Sequence, residues 1–184
     1  MKSLHPARPY GSDGVFGDEY WDWIHQPKFN GWRFLADLAT GEVFNRKGGK
    51  AKNESLVLKR LKGFGFKSRF VDGEICGMRT KTGAGTIIVI DSFDPENPKP
   101  IQDRLKEFEE IEPASFKVRD NALLRMPTLE HKKLRQCWAE MDYINKRSFE
   151  TIWEGFVSKK DSKYPWLKSP DWVSMEWHKM RITA

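Results

Sequence analysis

Gln26-Pro27-Lys28-Phe29-Asn30-Gly31-Trp32-Arg33 sets one lysine in a short apolar run, with a glycine three residues on and an arginine five residues on. It leads into the strand-like segment Arg33-Phe34-Leu35-Ala36-Asp37-Leu38. A lysine so placed is a candidate nucleophile, because desolvation and neighbouring cations lower an amine's pKa and free the neutral form that attacks. Gly31 would let backbone approach a phosphate, and Arg33 would offer a planar fork to another. Alone, the octet also describes an ordinary strand entry with an exposed lysine. Its meaning rests on the signals downstream.

Working outward, residues 33–44 read as a hairpin, with apolar residues flanking Ala39-Thr40-Gly41-Glu42. Asn45-Arg46-Lys47-Gly48-Gly49-Lys50 is a basic, glycine-containing loop, either a solvated turn or a phosphate cradle of backbone N–H groups plus Arg46. Asn53 or Ser55 caps a helix running to about Lys62, with Gly63 as the stop. Residues 69–78 read as a strand interrupted by Asp72-Gly73-Glu74, a carboxylate pair that is exposed or binds a cation, a ribose or a magnesium ion. Gly85 to Asp91 is the most apolar β-branched run, expected as a buried central strand.

Further on, Asp103 to Ile111 predicts an amphipathic helix, residues 116–124 one or two short strands, and Thr128 the cap of a long helix to about Lys146. Residues 151–160 form a strand around a Glu154-Gly155 step, and 161–171 a basic, aromatic loop. Residues 172–181 alternate with period two, sending Lys179 and Arg181 to one face, where two cations repel unless an anion lies between them. Upstream, residues 1–19 read as an irregular arm, and Glu19 to Ile24 fits a short helix or a strand equally well.

The totals agree with one domain over residues 1–184, an arm over 1–19 and a core over 20–184. Hydrophobic residues make up 39%, with eight Trp and twelve Phe, which is enough for a real core. The net charge of +6 is uneven: Lys28 to Arg69 holds eleven Lys/Arg against Asp37, Glu42 and Glu54. Such a segment suits a polyanionic partner such as nucleic acid, or else is solvated surface. Cys76 and Cys137 make no disulfide framework or zinc pattern, and no apolar run approaches membrane-spanning length. The expected setting is therefore a reducing cytoplasm, with no secretion and no membrane partner.

Collected, the polar exceptions in apolar strands are Lys28, Arg33, Arg46, Glu74, Glu154, Lys179 and Arg181. One lysine, two carboxylates and several cations are what attack on an α-phosphate requires: the carboxylates hold a divalent ion and the cations neutralise charge building on the phosphoryl oxygens. Here the sequence resembles the ATP-dependent polynucleotide ligases, within the covalent nucleotidyltransferases that include mRNA capping enzymes. The resemblance is carried by Lys28-Phe29-Asn30-Gly31-Trp32-Arg33, Arg46-Lys47-Gly48, Asp72-Gly73-Glu74, Glu154-Gly155 running to Lys159-Lys160, and Trp177-His178-Lys179-Met180-Arg181, in the family's order.

The resemblance implies an α+β, ATP-grasp-like ligase core of two antiparallel β-sheets flanked by helices, with the nucleotide between them. It implies three steps: Lys28 takes AMP from ATP, AMP passes to a 5′-phosphate at a break, and a 3′-hydroxyl displaces it. By the same resemblance Lys28 is the nucleophile, Glu74 sits at the ribose or metal, Glu154 holds Mg2+ or Mn2+, Lys179 and Arg181 hold the α-phosphate, and Arg33 and Arg46 grip nucleic-acid phosphate. Gln26 and Ile90 fall at positions that read and stack on the adenine. The implied partner is nicked double-stranded nucleic acid, DNA more than RNA, with an OB-fold supplied by a separate subunit or a missing segment.

Four residues depart from the family pattern: Asn30 for aspartate, Gln26 for glutamate, Ile90 for an aromatic residue and Arg181 for lysine. The OB-fold that normally follows is not in this chain. An RNA ligase shares every residue named, and a non-catalytic nucleic-acid-binding protein of the same fold is favoured by Asn30 and Ile90. A capping guanylyltransferase fits less well, because residues 154–159 read as a ligase strand.

Overall fold

The computed structural model describes residues 6–11, 16–115, 118–164 and 173–181. Expectations for residues 1–5 and 12–15 of the arm, for Phe116 and Lys117, for most of the 161–171 loop and for Trp172 lie outside the described residues. The described residues form nine strands: β1 (Pro9–Gly11), β2 (Ile24–Phe29), β3 (Trp32–Asp37), β4 (Glu42–Asn45), β5 (Phe70–Ile75), β6 (Ile87–Phe93), β7 (Leu123–Arg125), β8 (Trp153–Lys159) and β9 (Ser174–Arg181). Three helices accompany them: α1 (Glu54–Phe64), α2 (Ile101–Leu105) and α3 (Leu134–Arg147).

The strands make two sheets, ordered β4-β3-β5-β6-β7 and β1-β9-β8-β2. The expected α+β architecture of two sheets with flanking helices is what the chain adopts. Pairing is antiparallel except at two edges, where β1 runs parallel to β9 and β7 parallel to β6. Period-two alternation sorts the larger sheet's side chains. Phe34, Ala36, Val71, Ile87 and Val89 pack with Val57 and Leu61 of α1 and with Phe108. The opposite face joins the second sheet through two clusters, one around Phe29, Ile88, Ile90, Trp153 and Phe156 with Met141 of α3, the other around Leu35, Phe70, Phe93, Tyr164 and Trp177.

Some boundaries differ from expectation for local reasons. Helix α1 passes through Gly63 and stops at Gly65, whose φ of 84° gives the left-handed cap. Helix α2 ends early and continues as a 3-10 turn over Lys106–Phe108, because the Glu107 carboxylate is anchored by the backbone N–H of Ser68 (2.6 Å) and the hydroxyl of Ser92 (2.7 Å). Helix α3 begins at Leu134, after a 3-10 turn, and Thr128 does not cap it. There Leu129 is held extended by donating its N–H to the His25 carbonyl at 2.8 Å. Lys28 lies within β2, and not in a lead-in to the strand.

Candidate active site

Between the sheets lies a cavity of about 930 Å³, lined from β2, β8 and β9 on one side and from β3, β5 and β6 on the other. Every residue singled out from the sequence faces it: Gln26, Lys28, Arg33, Arg46, Glu74, Ile90, Glu154, Lys179 and Arg181. Lys28 and Glu154 come together because β2 pairs with β8 in the register Lys28↔Gly155, with a bulge between Lys28 and Phe29. Gly155 lets β9 approach β8 closely on the other side. Its φ is +123°, and a Cβ there would fall 2.0 Å from the carbonyl oxygen of Met180 on β9.

The Lys28 amine donates to Glu154 Oε2. Arg181 Nη2 stands 4.0 Å from the same oxygen, and Arg79 Nη1 3.5 Å from Glu154 Oε1. The direct partner of the amine is thus a carboxylate, with the cations standing around the pair. Beside them Glu74 is 8% exposed. Burial pushes its carboxyl up to about 7 and Glu154 adds to that, while Lys28 and Arg33 pull the other way. Gly31 owes its identity to this carboxylate. A Cβ at residue 31 would sit 2.7 Å from Glu74 Cγ and 2.6 Å from the Ile75 carbonyl, so packing against β5 itself requires the glycine.

A positively charged wall faces the two glutamates. Burial, followed by the guanidiniums of Arg181, Arg46 and Arg8, holds the Lys179 amine below its ordinary value. Burial together with Arg8 and Arg181 likewise lowers Arg46. The two cations of β9 do therefore share a face with further cations. Arg33 lines the cavity but is engaged within the protein. Its Nε and Nη2 donate to the two oxygens of the buried Asp72 at 2.9 and 2.6 Å, and its guanidinium lies 5.6 Å from the Trp177 ring. This pairing accounts for the first carboxylate of Asp72-Gly73-Glu74. In the 45–50 loop, Lys47 N–H donates to Asn45 Oδ1 and Gly48 N–H to the Asn45 carbonyl. These two amides are spent inside the turn, and Arg46 and Lys47 line the cavity.

Deeper in, the cavity meets buried polar atoms without partners among the described residues: both amide atoms of Gln26 and the Nζ of Lys159. Unpaired buried polar groups cost about 1–3 kcal/mol each, which makes them a mark of a site awaiting a ligand. Ile90 and Met126 supply apolar wall beside them. Lys159 was read from the sequence only as the end of the Glu154-Gly155 strand and was given no role, and Arg79 was not singled out; both line the cavity. For Lys159, period two along the strand pointed to the face opposite Glu154; for Arg79 no spacing gave notice. Asn30 donates from Nδ2 to the Thr151 carbonyl at 2.8 Å, and its Oδ1 accepts from Arg79 at 3.4 Å.

The donor set suits a hard divalent cation. Among the described residues no group of three or more His, Cys, Asp or Glu side chains forms a metal cage. Two carboxylates facing one cavity match the way Mg2+ is held, by one or two protein carboxylates together with substrate phosphates and water.

No family model matches the sequence, and no curated protein matches it. Solved structures do match the fold. The chain is similar to the Chlorella virus DNA ligase-adenylate, with a TM-score of 0.61 at 17% identity over 97% of this chain and 67% of that one. It is similar to a mycobacterial DNA ligase D complexed with ATP and MES, with a TM-score of 0.58 at 18% identity over 98% of this chain and 61% of that one. A Lig E DNA ligase, described as binding DNA with a minimal scaffold, gives a TM-score of 0.55 at 14% identity over 99% of this chain and 69% of that one. The fold is that of the ligase nucleotidyltransferase core. Among the described residues no helix is long and apolar enough to cross a membrane.

Proposed function

We propose that this chain is the adenylyl-transferring core of an ATP-dependent ligase acting on nicked DNA. The observation that carries the reading is the Lys28 amine on Glu154, in a cavity shared by Glu74, a cationic wall and the partnerless Gln26 and Lys159. The DNA ligases of the same fold, one of them with ATP bound, support the nucleotide and the kind of substrate.

In this reading the adenine enters between Ile90 and Met126, where the Gln26 amide and the Lys159 amine satisfy their missing hydrogen bonds on its ring edge. The triphosphate lies along Lys179 and Arg181. Lys28 Nζ, relieved of its proton with Glu154 Oε2 as the adjacent acceptor, attacks the α-phosphorus. A P–N bond forms, the P–O bond to the β-phosphate breaks, and pyrophosphate leaves with its electron pair. A 5′-phosphate oxygen then attacks the same phosphorus and Lys28 recovers its lone pair and a proton. Finally a 3′-hydroxyl attacks the activated 5′-phosphate and AMP departs. Lys179 and Arg181 neutralise charge on the equatorial oxygens in each displacement. Glu74 and Glu154 would hold Mg2+, whose chemistry here is charge neutralisation on the phosphoryl oxygens. Arg46 and Lys47, exposed at the rim, grip strand phosphate.

The test is covalent labelling of the protein with α-labelled ATP and Mg2+. Label is expected on the wild-type chain and none on Lys28→Ala. Sealing of nicked DNA against RNA-containing nicks then separates a DNA ligase from an RNA ligase. A second reading, a non-catalytic nucleic-acid-binding protein of this fold, is favoured by Asn30, whose amide is used up on Thr151 and Arg79. Salt-sensitive DNA binding with no label under any divalent metal would establish it instead.

A further inference from the structure

We propose that Arg79 is a phosphate-contacting residue of this site, delivered by the loop between β5 and β6; the inference rests on the ligase reading above. Arg79 Nη1 lies 3.4 Å from Asn30 Oδ1 and 3.5 Å from Glu154 Oε1, with the side chain 48% exposed. Both contacts are long, and one partner is neutral. A guanidinium with five donors is thus held at the cavity rim without a carboxylate of its own.

The loop that brings it there is built, not loose. The Glu150 carboxylate accepts from the N–H of Lys81 at 2.7 Å, from the N–H of Thr82 at 2.8 Å and from the Thr82 hydroxyl. Gly77, with φ of +80°, lies so close to the returning chain that a Cβ would fall 2.2 Å from Ala84 Cα. Cys76 N–H to the Thr86 carbonyl (2.9 Å) and Gly85 N–H to the Cys76 carbonyl (3.1 Å) close its base.

The charge at this corner asks for an anion. One carboxylate, Glu154, is shared by Lys28, Arg79 and Arg181. Asn30 offers Arg79 an uncharged acceptor where an aspartate would add a second carboxylate. A phosphate brings both the charge and the acceptor oxygens that the guanidinium lacks. It can come from the triphosphate of the nucleotide or from the 5′-phosphate of the strand.

The experiment compares the wild-type chain with Arg79→Ala and Arg79→Lys. One arm measures pyrophosphate binding by titration calorimetry. The other measures anisotropy of nicked duplexes carrying a 5′-phosphate or a 5′-hydroxyl. Arg79→Ala is expected to weaken one of these, pyrophosphate affinity or the preference for the 5′-phosphate, by about tenfold, the scale of a charge-assisted contact, with Arg79→Lys retaining part of it. The arm that falls identifies the source of the phosphate. Glu150→Ala, which detaches the loop without touching the cavity, is expected to reproduce the loss. If Arg79→Ala leaves both within about twofold, or weakens the 5′-hydroxyl duplex equally, the proposal is overturned. A wild-type chain that takes no label from ATP would remove the ligase reading, while the two binding arms would still judge Arg79.

Discussion

Lys159→Met is expected to stabilise the protein while impairing nucleotide capture. Lys159 is completely buried, its Nζ 4.1 Å from the centroid of the Trp177 ring and without a hydrogen bond among the described residues. Burial lowers the amine from 10.5 to about 7, with Asp91 and Asp72 opposing the shift. Between those limits the unfolded chain binds the proton and the folded chain does not. Wild-type stability therefore rises with pH in that window, by at most about 1.4 kcal/mol per pH unit. Summed, the shift is worth on the order of 5 kcal/mol, and the ring contact returns about 2 kcal/mol of it while the amine is charged. Methionine fills a similar volume without charge, so the variant should gain about 2–3 kcal/mol near neutral pH and lose about 1 kcal/mol of that advantage by about pH 9. Urea unfolding followed by tryptophan fluorescence at the two pH values measures this, and ATP labelling measures the accompanying rise in KM. A methionine variant that is less stable at both pH values, or a stability gap that does not change with pH, would refute the reasoning.

Three further outcomes follow from other places in the fold. Gly155→Ala drives a Cβ into the Met180 carbonyl at a φ of +123°, so it should cost at least about 3 kcal/mol and lower the melting temperature by roughly 10 °C; circular dichroism reads it. Arg104→Met strips the buried Asp91 of a bidentate partner at 2.8 and 2.9 Å and should cost about 3–5 kcal/mol, whereas the Asp91→Asn, Arg104→Met pair should cost less than Arg104→Met alone in denaturant titration. His25, lowered from 6.5 to about 4 by burial and then by His131, is held neutral in the folded state while the unfolded chain takes up a proton. Its contribution of about 3 kcal/mol is present above the unfolded value and fades as pH falls towards 4; His25→Gln should flatten the acid limb of the stability profile.

What the sequence disclosed and what it hid divide along physical lines. Strands β3, β5, β6 and β9 were legible because alternation or a β-branched run is written into each one. β1 was not, since three residues become a strand only by pairing with β9 at the far end of the chain. Helix α3 was read five residues too long at its start because the carbonyl that holds Leu129 extended belongs to His25, on a distant strand. The site divides in the same way. Lys28, Glu74, Glu154, Lys179 and Arg181 stand out as charges in apolar strands. Lys159 does not, because it lies five residues beyond Glu154, and period two would send the two to opposite faces. Gly155, at positive φ between them, breaks that alternation and lets both line the cavity. Arg79 depends on a loop fastened by Glu150, a contact that no local pattern announces.

The Lys28–Glu154 pair decides how this cavity is to be understood. A lysine among cations alone would be primed for attack but costly to hold, whereas here a carboxylate compensates the amine and three arginines and a lysine stand around the two of them. On the proposed ligase reading, the protein stores its nucleophile beside a compensating carboxylate and leaves surplus positive charge on Arg46, Arg79, Lys179 and Arg181 for a substrate to balance. A monovalent anion would leave most of that surplus unpaired. A triphosphate or the phosphate of a strand end would match it, and its arrival competes with Glu154 for the same cations, loosening the hold on the amine that must attack. On this argument substrate binding and activation of Lys28 are one electrostatic event, which is why replacing Glu154 by glutamine should weaken labelling through the rate of attack and leave the affinity for ATP largely in place.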